Sequence, residues 1–204
     1  MKRLAKKNIN TKEEYDRIFK VRQEKGVDEF DLRRWECLVR YFRGGRLIDL
    51  GCLDSHVPIL AKTKYPRSEV WGIDIAEKSI KELEKKYPAI YYAVQDIYDT
   101  EFPTGYFSYS VAGEVIEHLE KPEKFLEEAM RITKPGGVFV LSTPLGETKA
   151  GEVDGERHLW SYNVEDMHTL LGKYGKVKIK ILRSKYFPKY TYSFPTLVAW
   201  CFKK

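Results

Sequence analysis

Short apolar runs alternate with helix-like segments through most of the chain. Five such runs stand at residues 47–50, 70–73, 90–94, 107–111 and 138–141. In the segments between them, apolar residues recur every three or four positions, which is the spacing of an amphipathic helix. Strands that alternate with helices in this way form βαβ units, so the pattern predicts an α/β fold built on a doubly wound, parallel sheet.

Two helices are predicted before the first strand. Thr11 and Glu14 form a capping-box pattern that begins the first helix. The second helix starts at Asp28, and the pair Gly44-Gly45 supplies a left-handed stop. Its predicted apolar side consists of Leu32, Trp35, Leu38, Val39 and Phe42. We therefore expect residues 1–45 to be accessory helices and residues 46–204 to form the main part of a single compact domain.

The last part of the chain departs from the βαβ pattern. A polar, glycine-containing stretch at 145–157 precedes a helix capped by Asn163, and two strand-like runs follow at 177–182 and 196–202. The two runs lack a helical segment between them, so we expect them to pair in antiparallel fashion. The whole sheet is then predicted to have seven strands, mostly parallel, with an antiparallel last strand.

Composition and charge exclude several classes of protein. The 204 residues are 43% hydrophobic and 32% charged, which is typical of a globular domain and excludes a disordered or collagen-like chain. The apolar runs are too short for a membrane span, and the basic N-terminal residues lead into no hydrophobic segment, so we expect a cytoplasmic protein. Cys37, Cys52 and Cys201 lack paired spacing and are expected to be reduced, buried thiols.

Polar residues follow four of the predicted strands, at the edge where open α/β sheets bind their ligands. Asp49 and Gly51 stand at the end of the first strand. Asp74 ends the second strand about twenty residues later, a spacing at which a carboxylate can reach ribose hydroxyls. Asp96 and Glu114 follow the third and fourth strands, and Asp96 could accept a hydrogen bond from an adenine amino group. The pattern favours a ligand that carries ribose and adenine.

Taken in order, these segments resemble one family. The chain contains LIDLGC, then GID, QD, GEVIEHL and KPGGVFVLSTP. This order is similar to that of the class I S-adenosylmethionine-dependent methyltransferases, and most similar to the small-molecule branch that includes the ubiquinone-biosynthesis O-methyltransferases (methyltransferase type 11 or 12 domains). The resemblance covers the chain from Arg46 to Trp160. It implies a Rossmann-like fold, with S-adenosylmethionine as cofactor and S-adenosylhomocysteine as product.

The resemblance also implies which residues contact the cofactor. Gly51 and its loop would approach the methionine part, Asp74 would hold the ribose, and Asp96 would bind the adenine edge. The full implied set is Asp49, Gly51, Cys52, Leu53, Asp74, Ile75, Asp96, Ile97 and Glu114. The first loop departs from the family pattern, which usually has glycine at the positions where this chain has Leu53 and Ser55. We expect Leu53 to narrow the methionine pocket and Ser55 to cap the following helix.

Two histidines and one glutamate are candidates for chemistry. His118 could take a proton from an acceptor hydroxyl, because imidazole titrates near neutral pH; the alternative is that it only packs beneath the loop. His158 lies in a segment that resembles the family's acceptor region, so it is a candidate for orienting the substrate or for anchoring the loop. Glu117 beside His118 could bind a divalent ion, but a single Glu-His pair indicates a metal only weakly, and we expect none.

These features predict a methyltransferase acting on an oxygen, or in second place a nitrogen, of a small molecule or a glycan- or lipid-linked precursor. The stretch 145–160 and the accessory helices would form the acceptor lid, with Tyr15, Tyr106 and Trp160 as aromatic walls. The net charge of +6 motivates an RNA methyltransferase as an alternative, yet the Lys and Glu residues have the spacing of solvated helix faces, so we expect no nucleic-acid partner. The missing glycines motivate a catalytically silent binding module as another alternative.

Overall fold

The computed structural model describes residues 1–25, 27–148, 157–183 and 195–204. Its strands are, in chain order, β1 (Lys2–Arg3), β2 (Arg46–Leu50), β3 (Glu69–Asp74), β4 (Tyr91–Val94), β5 (Phe107–Gly113), β6 (Thr133–Pro144), β7 (Trp160–Ser161), β8 (Gly175–Leu182) and β9 (Thr196–Lys203). Its helices are α1 (Lys12–Lys25), α2 (Glu29–Leu38), α3 (Val57–Lys64), α4 (Glu77–Lys86), α5 (Pro122–Ile132) and α6 (Val164–Gly172), with a 3-10 turn at Ile116–His118. Residues 149–156 of the predicted acceptor stretch lie outside the described residues.

A seven-stranded sheet runs through the molecule in the order β4-β3-β2-β5-β6-β9-β8. Neighbouring strands pair in parallel except at β9, which is antiparallel to β6 and to β8. The predicted fold class, a mostly parallel seven-stranded sheet with an antiparallel last strand, is confirmed. The strand order reverses between β2 and β5, so the carboxyl ends of these two strands flank the position where such sheets bind ligands.

Helices cover both faces of the sheet. On one face α2, α3 and α4 contribute Leu38, Ala61 and Ile80 to a buried apolar cluster, and on the other α5 and α6 contribute Phe125 and Met167 to a second. Full burial of a side chain such as leucine or phenylalanine is worth about 1.5–3 kcal/mol relative to exposure. The two clusters therefore hold the three layers together. The helix capped by Asn163 forms as predicted, since the Asn163 side chain accepts from the Asp166 amide.

Helix α2 begins as predicted but ends earlier. Asp28 caps it by accepting a hydrogen bond from the Asp31 amide, whereas the helix stops at Leu38 rather than at the glycine pair. The Val39 amide donates to the carbonyls of Trp35 and Cys37, and the chain continues in turns. Leu32, expected on the apolar side, is 42% exposed. The turn after α2 also buries Val39 and Phe42. The helix-like spacing of apolar residues in the sequence therefore continues beyond the end of the helix.

A short antiparallel pair that the sequence did not reveal joins the start of the chain to the segment before α6. In it, Lys2 lies opposite Ser161 and Arg3 opposite Trp160. The Leu4 amide donates to the Leu159 carbonyl at 2.8 Å, and the Arg3 guanidinium lies 5.1 Å from the centre of the Trp160 ring. This pairing holds the first residues beside the edge of the sheet where the strands end.

The two outer strands of the sheet differ in character. At one edge β4 has only four residues. At the other, β8 carries Lys176, Lys178 and Lys180 at alternate, exposed positions. The Lys178 ammonium lies 5.2 Å from the centre of the Phe202 ring on β9, so its stem covers apolar surface while the charge stays in water.

The cysteines agree with the sequence expectation, since all three are buried and without a disulfide. Within the described ranges, none of the helices combines the length and the apolar character that crossing a membrane requires. The division of the chain after residue 45, and the cytoplasmic location, stay predictions.

Candidate functional site

A cavity of about 710 Å³ opens where β2, β3, β4 and β5 end, bordered on its outer side by α1 and α2. The residues expected to contact the cofactor line it, apart from Asp49, and so do both candidate catalytic histidines. The predicted residues that line it are Gly51, Cys52, Leu53, Asp74, Ile75, Asp96, Ile97, Glu114, His118 and His158. The structure thus brings together two groups of residues that lie far apart in the sequence.

The first loop turns sharply between β2 and α3. Gly51 has φ +72°, and a Cβ atom there would lie 2.8 Å from a methyl group of Val115, so the position requires glycine. The amides of Gly51 and Cys52 both donate to the Ile73 carbonyl, at 2.8 and 3.0 Å. These contacts hold the loop against the end of β3 and leave the backbone at Gly51 facing the cavity.

Leu53 adopts the left-handed backbone conformation that usually calls for glycine. Its φ is +36°, although leucine has no side-chain polar group to stabilise such a conformation. Two contacts hold it there: its amide donates to Asp74 Oδ2 at 2.8 Å, and its carbonyl accepts from the Ser79 hydroxyl. Ser55 was expected to cap α3, but the N-cap residue is His56, which makes no side-chain capping bond. The Ser55 Oγ accepts instead from the Val57 amide at 3.1 Å, just before the helix.

Asp74 sits at the centre of the cofactor half of the cavity. Its two carboxylate oxygens accept from the amides of Leu53 and Ala76, each at 2.8 Å. Burial raises the pKa of Asp74, and these backbone donors oppose the rise. Each carboxylate oxygen can accept a further hydrogen bond, so two neighbouring hydroxyls of a ribose can still be bound. Asp96, by contrast, is exposed, and its Oδ1 accepts from the Tyr98 amide at 2.8 Å.

Asp49 does not line the cavity. It lies within β2, is 1% exposed, and its Oδ2 has no hydrogen-bond partner among the residues that the structure describes. Burial, and to a smaller extent the nearby charge of Asp74, raise the pKa of Asp49 to about 7, although a hydrogen bond with Ser55 opposes the rise. The structure thus places Asp49 beneath the loop, and a direct contact with the cofactor stays a prediction.

Arg34 is a cavity residue that the sequence reasoning missed. It projects from α2 and lies between two carboxylates, with Nη2 2.6 Å from Asp31 Oδ1 and Nη1 3.3 Å from Glu114 Oε2. Its Nε is buried and has no partner within the described part of the chain. Glu114 has φ +58°, and its other oxygen accepts from the Ser142 hydroxyl at 2.7 Å. The missed signal was slight, because an Asp-Arg pair three residues apart is common on exposed helices.

The two candidate catalytic histidines lie together. Their ring centres are 4.7 Å apart and the rings meet edge to face. His118 Nδ1 is 3.2 Å from the Arg157 carbonyl, and His158 Nδ1 is 2.6 Å from Glu147 Oε2. Glu147, which the sequence reasoning also missed, is 4% exposed. Each Nδ1 therefore donates, which makes Nε2 the basic nitrogen of each neutral ring.

Glu117 lies beside this histidine pair and is completely buried. Its burial, and next the charge of Glu114, raise its pKa to about 8. Neither carboxylate oxygen has a hydrogen-bond partner in the described ranges, and Oε1 is 4.0 Å from His118 Nε2. One donor atom each from Glu117, His118 and His158 lie within 4.8 Å of one another, so these residues could hold a metal ion.

The outer wall of the cavity beside the histidines is polar and aromatic. Tyr15 meets His118 edge to face, with ring centres 6.2 Å apart, and its hydroxyl donates to Asn10 Oδ1 at 3.2 Å. The Asn10 amide group donates to the carbonyls of His118 and Arg157. Tyr15 therefore stands in the cavity wall, as expected.

Two other expected wall residues lie elsewhere. Trp160 donates through Nε1 to the Leu119 carbonyl at 2.8 Å, outside the cavity. Tyr106 precedes β5 at the opposite end of the sheet, where its hydroxyl donates to Glu69 Oε1 at 2.7 Å. The expectation for Tyr106 was wrong because residues before a parallel strand and residues after it lie at opposite edges of the sheet.

Known proteins resemble the part of the chain that builds this cavity. Residues 48–141 match a family model described as a methyltransferase domain. The ubiquinone biosynthesis O-methyltransferase of Chromobacterium violaceum is 35% identical over 115 residues, which are 52% of this chain and 47% of that protein. The demethylmenaquinone methyltransferase of Lysinibacillus sphaericus is 28% identical over 134 residues, 64% of this chain and 56% of that protein. This chain covers less than two thirds of the length of these relatives.

Solved structures share the fold at lower sequence identity. The phosphoethanolamine N-methyltransferase 2 of Haemonchus contortus, solved with S-adenosyl-L-methionine, superposes with a TM-score of 0.67 at 16% identity. The match covers 85% of this chain and 52% of that one. Likeness at this level concerns the fold, and it agrees with the Rossmann-like sheet described above.

Proposed function

We propose that this chain, whose residues 48–141 match a methyltransferase domain, transfers a methyl group from S-adenosylmethionine to an oxygen of a small-molecule acceptor. One observation carries the proposal: a single cavity joins the cofactor loop and Asp74 to the pair His118 and His158. A cofactor bound at the strand ends would therefore face both histidines that line the cavity in the described part of the chain.

The residues of the inner half fit the cofactor. Asp74 would accept from the ribose hydroxyls, Asp96 and Ile97 would meet the adenine, and the glycine backbone at position 51 would lie beside the methionine part. S-adenosylmethionine supplies a methyl group that its positively charged sulfur already makes electrophilic. The protein then has to align the acceptor with that methyl group and to exclude water, and these effects account for much of the acceleration in such reactions.

Arg34 supports a site for the carboxylate of the cofactor's methionine part. Its buried Nε still has a hydrogen to donate, although its two terminal nitrogens already face Asp31 and Glu114. A buried guanidinium donor without a partner costs free energy, which an incoming carboxylate would recover. We propose that Arg34 binds this carboxylate while Glu114 remains its neighbour.

Oxygen is favoured over nitrogen as the acceptor atom because basic groups stand beside the acceptor half of the cavity. A hydroxyl has to lose its proton as it is methylated, whereas a neutral amine can be methylated first and lose a proton afterwards. His118 and His158 are the candidates for this proton transfer. The proposal includes a glycan- or lipid-linked acceptor, because the loops determine which acceptor binds and the residues at the strand ends do not restrict it.

Calorimetric titration of the purified protein with S-adenosylmethionine and S-adenosylhomocysteine tests the cofactor site. Asp74→Ala should weaken both affinities by about 10-fold or more, since a hydrogen bond to a charged group contributes about 1.5–3 kcal/mol. Asp99→Ala, which removes an exposed carboxylate, is the matched control and should bind like the wild type. Circular dichroism of each variant checks that the fold is intact.

A methyl-transfer assay then separates the proposed function from its alternatives. Labelled cofactor is offered with a panel of hydroxylated and amine-bearing small molecules, and with RNA. Transfer to a hydroxyl supports the proposal. Saturable cofactor binding without transfer would instead favour the silent binding module, which Leu53 motivates. Transfer to RNA that falls steeply with salt would favour the nucleic-acid alternative, and no cofactor binding at millimolar concentration would refute the enzyme.

A further inference from the structure

Two residues other than glycine adopt the left-handed backbone conformation in the part of the chain that the structure describes. They are Leu53, with φ +36°, and Glu114, with φ +58°, and both line the cavity. This conformation costs free energy for a residue with a side chain, and it persists only where surrounding contacts hold it. Leucine has no polar group in its side chain that could supply such a contact. The contacts that hold Leu53 therefore come from other residues.

One of these contacts comes from Ser79 in the first turn of α4. Its hydroxyl donates to the Leu53 carbonyl, and the residue is 0% exposed. A serine hydroxyl in a helix can bond to a backbone group a few residues away. This hydroxyl bonds instead to a residue 26 positions earlier in the chain. The bond therefore links α4 to the loop between β2 and α3.

The amide of Leu53 is held as well. It donates to Asp74 Oδ2 at 2.8 Å, and Asp74 is the carboxylate proposed to accept from the ribose hydroxyls. Leu53 is thus fixed through both of its backbone polar groups, by Ser79 at the carbonyl and by Asp74 at the amide. A change in its φ and ψ angles would break one or both of these hydrogen bonds. The orientation of Asp74 therefore depends on the conformation that Ser79 stabilises.

We propose that Ser79 is a positioning residue of the cofactor site, which holds Leu53 in the left-handed conformation and thereby keeps Asp74 aligned for the ribose of S-adenosylmethionine. Ser79 is not among the residues that line the cavity, so it acts through Leu53 and Asp74 rather than on the cofactor. Glycine at position 53 would adopt the same conformation without support. This role rests on the proposed function, because it concerns the affinity for the cofactor.

The importance of the serine depends on which residue stands at position 53. When the Ser79 hydroxyl is removed, Leu53 can leave the left-handed conformation, and the apparent affinity falls in proportion to the fraction of molecules that remain competent to bind. With glycine at position 53 the left-handed conformation carries no such penalty, so the loop stays competent without the hydroxyl. The two positions are therefore coupled, and a double-mutant cycle measures the coupling.

The experiment is a double-mutant cycle measured by calorimetric titration with S-adenosylmethionine and S-adenosylhomocysteine. Ser79→Ala should weaken the binding of both ligands about 3- to 10-fold, which corresponds to the loss of one hydrogen bond. In the Leu53→Gly background, the same change should alter the affinity by less than about 2-fold. Ser110→Ala is the matched control, since Ser110 is also 0% exposed but its hydroxyl accepts from Thr133 Oγ1 at 2.8 Å. It should leave the affinity unchanged.

Amide hydrogen exchange in the cofactor-free protein tests the loop without any ligand. The Leu53 amide, which is protected by its hydrogen bond to Asp74, should exchange about 3- to 10-fold faster in Ser79→Ala than in the wild type. Its exchange should be unchanged in Ser110→Ala. Alanine forms helix at least as well as serine, so α4 should persist in Ser79→Ala. If this variant does not fold, Ser79→Cys replaces it, because a thiol of similar size is a weaker donor.

The outcomes separate the role of Ser79 from the existence of the cofactor site. Wild-type affinity in Ser79→Ala, or wild-type exchange of the Leu53 amide, would overturn the proposal. An equal loss of affinity in both backgrounds would also overturn it, because the hydroxyl would then support α4 in general and not the conformation of Leu53. Failure of the wild type to bind either ligand would refute the proposed function instead, and hydrogen exchange would then decide whether Ser79 holds the loop.

Discussion

Asp49 gives a test of the electrostatics beneath the cofactor loop. It is 1% exposed within β2, and burial raises its pKa from 3.8 to about 7. Between these two pH values the folded protein keeps a proton that the unfolded chain releases. Stability therefore falls as the pH rises through this window, and the full loss is present above pH 7. Asp49→Asn resembles the protonated carboxyl and cannot ionise, so it escapes the loss.

The size of the effect follows from the same shift. Each pKa unit corresponds to about 1.36 kcal/mol, which gives an upper value of ~4 kcal/mol for Asp49. We expect Asp49→Asn to be about 2–4 kcal/mol more stable than the wild type near pH 8, and nearly equal to it near pH 4. The neighbouring Asp74 strengthens the effect, because its negative charge disfavours a second carboxylate.

Chemical denaturation at a series of pH values from 4 to 8 measures this difference directly. Asp99→Asn is the control, since Asp99 is exposed and its replacement should change stability by less than ~0.5 kcal/mol at every pH. A difference between Asp49→Asn and the wild type that stays constant across the pH range would refute the reasoning. It would mean that Asp49 is ionised in the folded protein and that its charge is compensated.

Two further substitutions test the loop and the attachment of α2. Leu53→Gly should tighten S-adenosylmethionine binding in calorimetry, because it removes a side chain from the cavity. The substitution relieves a left-handed leucine, which is worth about 1–2 kcal/mol, but glycine loses more chain entropy on folding. The two effects partly cancel, so the free energy of unfolding should change by less than ~1 kcal/mol. Weaker binding would contradict a crowded pocket. Tyr109→Phe removes a buried hydrogen bond of 2.6 Å to the Leu38 carbonyl and should cost about 1–2 kcal/mol in denaturant unfolding. Tyr91→Phe, at a 55% exposed position, should cost almost nothing, and equal losses in the two variants would argue against the hydrogen bond.

The sequence predicted the sheet well because its signal is local. Each parallel strand is a short apolar run, and the residues after such runs, Gly51 and Asp74 among them, reach the same edge in any open α/β fold. The antiparallel pairing at one end of the sheet was also predicted, since β8 and β9 have no helix between them in the sequence pattern. These inferences required only periodicity and chain order.

The features that were missed depend on contacts between distant segments. Arg34 reaches the cavity because α2 packs across the ends of the strands, and Glu147 reaches His158 because two loop segments meet. The pairing of Lys2 with Ser161 involves strands of two residues, which are too short to show any periodicity. The early end of α2 was missed for a related reason: the turn that follows it buries Val39 and Phe42 at nearly helical spacing.

The lysines of β8 limit the pairing of other strands with this edge of the sheet. An outer strand offers a row of backbone donors and acceptors on which a foreign strand, or a second copy of the same one, can assemble. Lys176, Lys178 and Lys180 surround that row with like charges. The β8 edges of two molecules would repel each other, so the lysines protect the sheet against edge-to-edge association. At the opposite edge the short β4 limits such association, because it has few unpaired backbone donors and acceptors.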